Sequence, residues 1–231
     1  MKTAHYTDSK IPWHNIDTVL LDMDGTLLDL HFDNYFWLDY LPQRYSETHG
    51  GNLVEAKQKL HAYYEAHYGT LNWYCLHYWG KSLQLDIRKL KEEVKDRIQI
   101  RPFVVEFLQR LRQHGKRLVL ITNAHPDSLD LKLEVTEIDK WLDMVVSSHE
   151  YHSPKEDQAF WQELHKQEQF DPERTLFIDD SPHILQSALD FGVRYVLGIR
   201  HPDSQQAPRN LDPYLAIDHF DELFPSLPIQ Q

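Results

Sequence analysis

The sequence predicts an α/β fold in which a doubly wound parallel β-sheet is flanked by helices and carries a helical insertion after its first strand. Three observations support this prediction. Short apolar runs recur along the chain, helical patterns separate the later runs, and one long segment between the first two runs has no strand-like pattern. Strands that alternate with helices are typical of doubly wound folds.

Five apolar runs are predicted to be β-strands that are buried on both faces. Their apolar residues follow one another without the alternation of a half-exposed strand, as in parallel sheets covered by helices on both sides. The predicted strands span residues 17–22, 117–122, 143–148, 174–179 and 193–199. Helical spacing separates the later four strands at residues 127–138, 155–167 and 181–192, and Gly192 is a typical helix stop.

The segment between the first two predicted strands is expected to form a helical subdomain. It is rich in helix-forming residues and holds nearly half of the chain's aromatic residues. The sequence therefore predicts an α/β core made of residues 1–29 plus 101–231, with a helical subdomain, residues 30–100, inserted after the first strand.

Composition restricts the kinds of partner that the chain can have. A formal net charge of −12 argues against a nucleic-acid polymer, which is bound by clustered Lys and Arg. No apolar run approaches the ~18 residues of a membrane-spanning helix, and the N-terminus lacks the apolar region of a secretory signal. The single cysteine, Cys75, cannot form an intrachain disulfide. We therefore expect a cytoplasmic protein that acts on a small molecule.

Polar side chains stand at the ends of four predicted strands. In chain order they are Asp22 and Asp24, Thr122 and Asn123, Lys155, and Asp179 and Asp180. Because ligands bind at the carboxyl ends of the strands in an open parallel sheet, these side chains are expected to meet at one edge.

The chemistry of this set is that of phosphoryl transfer. Clustered carboxylates repel one another unless a cation is present, and they are suited to Mg²⁺. One carboxylate can attack phosphorus to form an aspartyl-phosphate, while a second protonates the leaving oxygen and later activates water. Thr122 and Lys155 are expected to hold the phosphoryl oxygens. Gly25 allows the backbone to approach the phosphate closely.

The stretch that contains Lys155 is predicted to begin a helix. Ser153 is suited to the N-cap, Pro154 to the first helical position, and Glu156 completes a capping box. Lys155 then falls in the first turn, where a positive charge opposes the helix dipole. A residue that breaks a local rule in this way is a candidate functional residue.

Each motif also has a purely structural interpretation. The stretch DMDG can form a turn, DDSP can cap a helix, Thr122 and Asn123 can end a strand, and Lys155 can be a solvated lysine. These interpretations predict scattered polar residues, whereas the observed residues all follow predicted strands. The 15 histidines show no spacing typical of a metal site, so no zinc site is predicted, although His125 is placed to approach a substrate.

The four motifs, DMDGT, TN, the lysine and DD, resemble those of the haloacid dehalogenase-like (HAD) hydrolase superfamily in their order. The resemblance implies a Rossmann-like sheet with a helical cap between the first two motifs. It implies that Asp22 is the nucleophile and a Mg²⁺ ligand, and that Asp24 is the acid/base and binds the metal through its backbone carbonyl. It also assigns phosphate binding to Thr122 and Lys155, and it completes the metal site with Asp179 and Asp180.

Longer stretches, among them TLNWYCLHYW and TNAHPDSLDLKLE, resemble the bacterial GMP/IMP 5′-nucleotidase branch of this superfamily. The resemblance implies a purine nucleoside monophosphate as substrate. A base could stack on aromatic residues of the cap, with Asn34 reading its edge. The aromatic candidates are Tyr35, Phe36, Trp37, Trp73, Tyr74, Tyr78 and Trp79. The alternative is that these rings pack the helices of the cap.

Other functions are compatible with the same residues. A sugar-phosphate or phosphoglycolate phosphatase would use the same chemistry. A phosphoacceptor switch resembling response-regulator receivers also combines acidic residues, Thr and Lys in an α/β fold. Receivers, however, carry the acceptor aspartate after a later strand and have no large insertion. A phosphomutase is disfavoured by Thr26, and a dehalogenase by the acid at position 24.

Overall fold

A parallel sheet forms the centre of the fold. The computed structural model describes residues 11–229, so the first ten and last two residues of the predicted core lie outside the described residues. The strands are β1 (Thr18–Leu21), β2 (Arg117–Thr122), β3 (Met144–Ser147), β4 (Thr175–Asp179), β5 (Tyr195–Ile199) and β6 (Ala216–Ile217). They lie in the order β3-β2-β1-β4-β5-β6, and all neighbouring pairs are parallel.

The predicted doubly wound fold and its five strands are confirmed. The chain winds outward from β1 to β3, then returns to the other side of β1 at β4, which places the topological switch point between β1 and β4. The short strand β6 was not predicted, because its two residues are too few to give an apolar pattern. Part of the C-terminal region therefore extends the sheet.

Helices cover both faces of the sheet. Four of them connect or flank strands: α7 (Val104–Gln113), α8 (Pro126–Thr136), α9 (Gln158–Glu168) and α10 (Pro182–Phe191). In β1 the side chains of Val19 and Leu21 join one apolar cluster and Leu20 joins the other, so the strand is buried on both faces. Gly192 ends α10 with a φ of +117°, as predicted for a helix stop.

Residues 31–97 contain helices and no strand of the sheet; we call them the helical segment. It comprises α1 (His31–Tyr35), a π-helical turn (Phe36–Tyr40), α2 (Leu41–His49), α3 (Leu53–His67), α4 (Leu71–Tyr74), α5 (Leu76–Leu83), α6 (Ile87–Glu92) and a 3₁₀ turn (Lys95–Arg97). Its aromatic side chains pack against one another in edge-to-face pairs, for example Trp37 and Trp79, whose ring centroids are 5.9 Å apart.

The chain leaves and re-enters the core at one point. Leu28 and Ile100 form an antiparallel β-bridge, the Arg101 amide donates to the Leu27 carbonyl, and the Asp29 amide donates to the Gln99 carbonyl. These bonds bring the two ends of the intervening segment together. No helix among residues 11–229 is both long and apolar enough to cross a membrane.

The predicted helix start at residues 153–156 is wrong. Helix α9 begins at Gln158 with Asp157 as its N-cap, so Lys155 lies in the preceding turn. The reason is that the backbone of Lys155 is committed to tertiary bonds. Its amide donates to Asn123 Oδ1 at 2.9 Å, and its carbonyl accepts from Trp161 Nε1 at 2.8 Å. The argument from the helix dipole therefore does not apply to Lys155.

Candidate active site

Three buried carboxylates meet at the switch point of the sheet. Asp22 follows β1, Asp179 is the last residue of β4, and Asp180 comes next. Because β1 and β4 are neighbours, one oxygen from each side chain lies within 4.8 Å of the others. The structure thus brings together the acidic residues that the sequence places at separate strand ends, and their oxygen atoms are the ligand type that Mg²⁺ prefers.

Lys155 is the cation of this carboxylate cluster. Its Nζ lies 2.5 Å from Asp22 Oδ1 and 2.8 Å from Asp179 Oδ2, and the lysine is itself buried. Burial favours the neutral amine, but the two carboxylates outweigh it and hold the pKa of Lys155 above its usual range. Lys155 therefore carries a positive charge at neutral pH.

One lysine does not neutralise the three carboxylates. Burial raises the pKa of Asp22 to about 7, that of Asp179 to about 6 and that of Asp180 to about 7, and repulsion between the carboxylates adds to the effect. Asp22 Oδ2 is buried and has no hydrogen-bond partner among the described residues. A buried acceptor without a partner within an excess of negative charge fits a divalent cation.

Thr122 and Asn123 lie at the end of β2, next to the carboxylate cluster. The Thr122 hydroxyl accepts the Ala124 amide at 3.0 Å, which leaves its own proton free to donate to a ligand. Asn123 holds the Lys155 turn through its Oδ1, and its Nδ2 donates to Glu156 Oε2 at 2.9 Å. The side chain of Asn123 is thus engaged in positioning Lys155.

A row of four acidic and basic side chains leads from the site into the helical segment. Lys132 Nζ on α8 lies 2.6 Å from Asp24 Oδ1 and 2.6 Å from Asp33 Oδ2, and Lys91 Nζ on α6 lies 2.6 Å from Asp33 Oδ1. Both lysine side chains are buried. We call Asp24, Lys132, Asp33 and Lys91 the Asp24–Lys91 chain; acidic and basic side chains alternate along it.

Within the Asp24–Lys91 chain, the pKa of each side chain depends on its burial and on which charged side chains are its neighbours. Burial raises the pKa of Asp24 despite Lys132. Burial would do the same to Asp33, but its two lysines lower the pKa below the usual range. Burial would lower the pKa of Lys132, but its two carboxylates raise it. Lys132 is therefore charged and fixes the orientation of the Asp24 carboxyl, which is the predicted acid/base.

Gly25 allows the backbone to pass close to a carboxylate. Its φ is +84°, and a Cβ at this position would lie 2.8 Å from Asp180 Cγ. The Gly25 carbonyl accepts from Arg101 Nη1 at 2.9 Å. A side chain at position 25 would therefore displace Asp180 and strain the turn.

A cavity of about 740 Å³ opens beside the carboxylates. The predicted site residues that line it are Asp22, Asp24, Asn34, Thr122, Asn123, Lys155, Asp179 and Asp180; His125 lines it too. Residues of the helical segment contribute a largely aromatic wall made of Trp37, Leu38, Tyr64, Tyr68, Trp73, Tyr74, Leu76 and Trp79. The cavity thus combines a charged end with an aromatic surface.

The aromatic candidates from the sequence divide into two groups. Trp37, Trp73, Tyr74 and Trp79 line the cavity. Phe36 is fully buried, Tyr35 stacks on Tyr40, and the Tyr78 hydroxyl pairs with His67, so these three pack the helical segment. Asn34 lines the cavity, but its Nδ2 donates to Asp203 Oδ2 at 2.7 Å.

Several residues of the site escaped sequence reasoning. Lys132 and Asp33 look like solvated residues of helices, and Tyr68 lies in a stretch without a motif. Arg209, from the C-terminal region, lines the cavity and donates to Asp180 Oδ2 at 3.1 Å. The only available signal was that Lys132 falls near the apolar positions of the predicted helix 127–138.

Comparisons with known proteins find relatives along nearly the whole chain. The sequence profile of haloacid dehalogenase-like hydrolases matches residues 19–197. The GMP/IMP nucleotidase YrfG of Escherichia coli (strain K12) is 44% identical over 217 residues, which cover 94% of this chain and 98% of that protein.

Solved structures share the fold. A HAD phosphatase from Thermococcus onnurineus has a TM-score of 0.75 at 21% identity and covers 90% of this chain and 96% of its own. A HAD-superfamily hydrolase of subfamily IA from Geobacter sulfurreducens PCA has a TM-score of 0.61 at 18% identity and covers 93% of this chain and 97% of its own. At this level of identity, these matches show the architecture only.

Proposed function

Because the chain belongs to the haloacid dehalogenase-like hydrolase family, we propose that it is a Mg²⁺-dependent phosphatase that hydrolyses the purine nucleoside 5′-monophosphates GMP and IMP through an aspartyl-phosphate. The observation that carries this proposal is the cluster of Asp22, Asp179 and Lys155, which faces a cavity with an aromatic wall. The name of the Escherichia coli relative supports the choice of purine substrates.

In the proposed mechanism, Asp22 attacks the 5′-phosphate in line and forms the aspartyl-phosphate. Asp24 gives its proton to the departing nucleoside oxygen, then takes a proton from the water that hydrolyses the aspartyl-phosphate. Lys132 holds Asp24 in place during both steps. Lys155 and the Thr122 hydroxyl bind the phosphoryl oxygens and offset the negative charge of the transition state.

The residues present fit a Mg²⁺ ion. Asp22, Asp179 and Asp180 provide carboxylate oxygens close to one another, and Asp22 Oδ2 has no partner among the described residues. We assign these side chains, with the backbone carbonyl of Asp24, as its ligands. When bound, the ion would neutralise charge on the phosphate during transfer. Arg209 balances part of the charge on Asp180.

The charged end of the cavity also suits other phosphomonoesters, so a sugar-phosphate or phosphoglycolate phosphatase is the second candidate. The aromatic wall favours a purine, because each face of a base can stack on an aromatic side chain. A receiver-like switch has lost its support, since the chain belongs to a family of hydrolases.

Phosphate release from a panel of monophosphates tests the proposed function. The panel is GMP, IMP, AMP, UMP, dGMP, glucose 6-phosphate and phosphoglycolate, each with Mg²⁺ and with EDTA. We expect turnover that requires Mg²⁺ and is fastest on GMP and IMP. Turnover on sugar phosphates or phosphoglycolate alone would retain the mechanism and refute the nucleotidase assignment, and turnover that survives EDTA would refute the metal.

Substitution of Tyr68 by alanine is expected to weaken nucleotide binding. Tyr68 is 67% exposed, lines the cavity and contacts Trp73, so it offers a face to a base at little structural cost. Loss of one stacking contact of about 1–3 kcal/mol should raise the KM for GMP about fivefold or more. The turnover of p-nitrophenyl phosphate, which has no base, should not change.

The matched control for Tyr68→Ala is Tyr63→Ala. Tyr63 lies on helix α3 and is 39% exposed, but it is not among the residues that line the cavity. Its removal should leave the KM for GMP unchanged. Equal KM values for the two variants would show that Tyr68 does not contact the base.

A further inference from the structure

Three residues that ligate transition metals in other proteins meet where the helical segment touches the core. Cys75 lies between α4 and α5, and His125 caps helix α8. His149 lies in the 3₁₀ turn Ser148–Tyr151, which follows β3. One ligand atom from each of them lies within 4.8 Å of the others. None of the three belongs to the proposed carboxylate site.

His149 has the environment of a metal-binding imidazole. Its Nε2 is buried and has no hydrogen-bond partner among the described residues. Burial lowers the pKa of His149 to about 4, so the ring is neutral at physiological pH. A neutral imidazole whose buried Nε2 has no partner can offer the lone pair of that nitrogen to a metal ion.

His125 can also bind a metal ion through its Nε2. Burial lowers its pKa, so the ring is neutral. Its Nδ1 accepts the Asp127 amide at 3.2 Å and lies 3.7 Å from Asp127 Oδ2. If Nε2 binds a metal, the ring proton moves to Nδ1, which then no longer accepts the Asp127 amide. A small movement brings the Asp127 carboxylate close enough to accept a hydrogen bond from Nδ1 instead, as in carboxylate–histidine–metal arrangements.

We propose that Cys75, His125 and His149 form a second metal site, which binds a transition metal such as Zn²⁺ and links the helical segment to the core. Three atoms within 4.8 Å of one another have a centre at most about 2.8 Å from each, so small side-chain movements reach Zn–N and Zn–S bonds of about 2.0–2.3 Å. Thiolate and imidazole select Zn²⁺ over Mg²⁺. On binding, the thiol proton leaves to solvent, and a water fills the fourth position.

The site lies where the helical segment contacts the core, so a bound ion would connect the two. Tyr74, next to Cys75, donates to Glu156 Oε1 at 2.6 Å, and His77 lies 3.0 Å from Asp127 Oδ2, so both flanks of Cys75 already contact the core. The bonds from a bound ion to Cys75, His125 and His149 would be much stronger than these two hydrogen bonds. The metal therefore holds the helical segment against the core beside the cavity.

Binding of Co²⁺ to the Mg²⁺-saturated full-length protein tests the proposal. We expect one equivalent of Co²⁺ to produce thiolate-to-cobalt charge-transfer absorption together with the intense d–d bands of a four-coordinate ion. Co²⁺ held by carboxylates alone gives neither signal. The absence of charge-transfer absorption would overturn the proposal.

Two substitutions identify the ligands. Cys75→Ser should abolish the charge-transfer absorption; serine can still cap α5, because Cys75 Sγ now accepts the Tyr78 amide there. His149→Gln should weaken Co²⁺ binding about tenfold or more. The control, His61→Gln, changes an exposed histidine of α3 and should bind as the wild type does. Wild-type binding by Cys75→Ser or His149→Gln would contradict the assignment.

The test is independent of the proposed phosphatase activity. The variant Asp22→Asn, which should lose phosphate release, should keep the cobalt spectrum of the wild type. Failure of the metal site would thus leave the phosphatase proposal intact, and failure of the phosphatase proposal would leave the metal site intact.

Discussion

Replacement of Asp22 by asparagine is expected to reduce the rate of GMP hydrolysis roughly 10⁴-fold or more, because an amide cannot attack phosphorus in place of the carboxylate. Asp22 contacts Lys155, and its Oδ2 is buried without a hydrogen-bond partner among the described residues. The measurement is single-turnover release of phosphate from GMP with saturating Mg²⁺. A rate within tenfold of the wild type would contradict the role of Asp22.

The fold of this variant should be intact. Asparagine has nearly the same shape, its Oδ1 can still accept from Lys155, and one charge leaves a cluster in which burial and repulsion raise the carboxyl pKa values. The free energy of unfolding should therefore change by less than about 1 kcal/mol. Asp139→Asn, at an exposed position, is the control for loss of a carboxylate and should keep full activity.

Substitution of Lys132 by methionine is expected to lower both stability and activity. Lys132 is buried between Asp24 and Asp33, so its loss leaves Asp24 with no cation within bonding distance among the described residues. Removing one partner of a buried ion pair costs about 3–5 kcal/mol. Urea unfolding measures this loss, and GMP hydrolysis should fall because Asp24 is no longer oriented.

The control for Lys132→Met is Lys140→Met. The Lys140 side chain is 61% exposed, and its ion pair with Glu137 is at the surface, where such pairs contribute about 0–1 kcal/mol. If the two substitutions lower the free energy of unfolding equally, the buried Asp24–Lys91 chain does not stabilise the fold. If Lys132→Met keeps wild-type turnover, Lys132 does not position Asp24.

The sheet and the residues at its edge could be predicted because their signals are local. An unbroken apolar run marks a strand in a parallel sheet, and parallel strands bring their carboxyl ends to one edge. Asp22 and Asp179 are therefore neighbours although 157 positions separate them, and their meeting follows from the pairing of β1 with β4.

Contacts that depend on how the helical segment sits on the core could not be predicted. In the sequence, Lys132 looks like a charged residue on an ordinary helix. Its burial between Asp24 and Asp33 depends on how the helical segment packs on the core. The helix start assigned to Ser153 failed because tertiary bonds to Asn123 and Trp161 hold the Lys155 backbone. Cys75 and His149 have no metal-site spacing, because they come from different parts of the fold.

The central claim is that Asp22 carries the phosphoryl group during hydrolysis, and the variant Asp24→Asn tests it most directly. Without the acid/base, attack by Asp22 is slower because the leaving oxygen is not protonated. The second step is blocked because water is no longer activated, so the aspartyl-phosphate should accumulate. The measurement is mass spectrometry of this variant after rapid acid quenching with GMP and Mg²⁺. One phosphoryl group on the peptide that contains Asp22 is the predicted result. GMP hydrolysis without any adduct, or an adduct on another residue, would contradict the account.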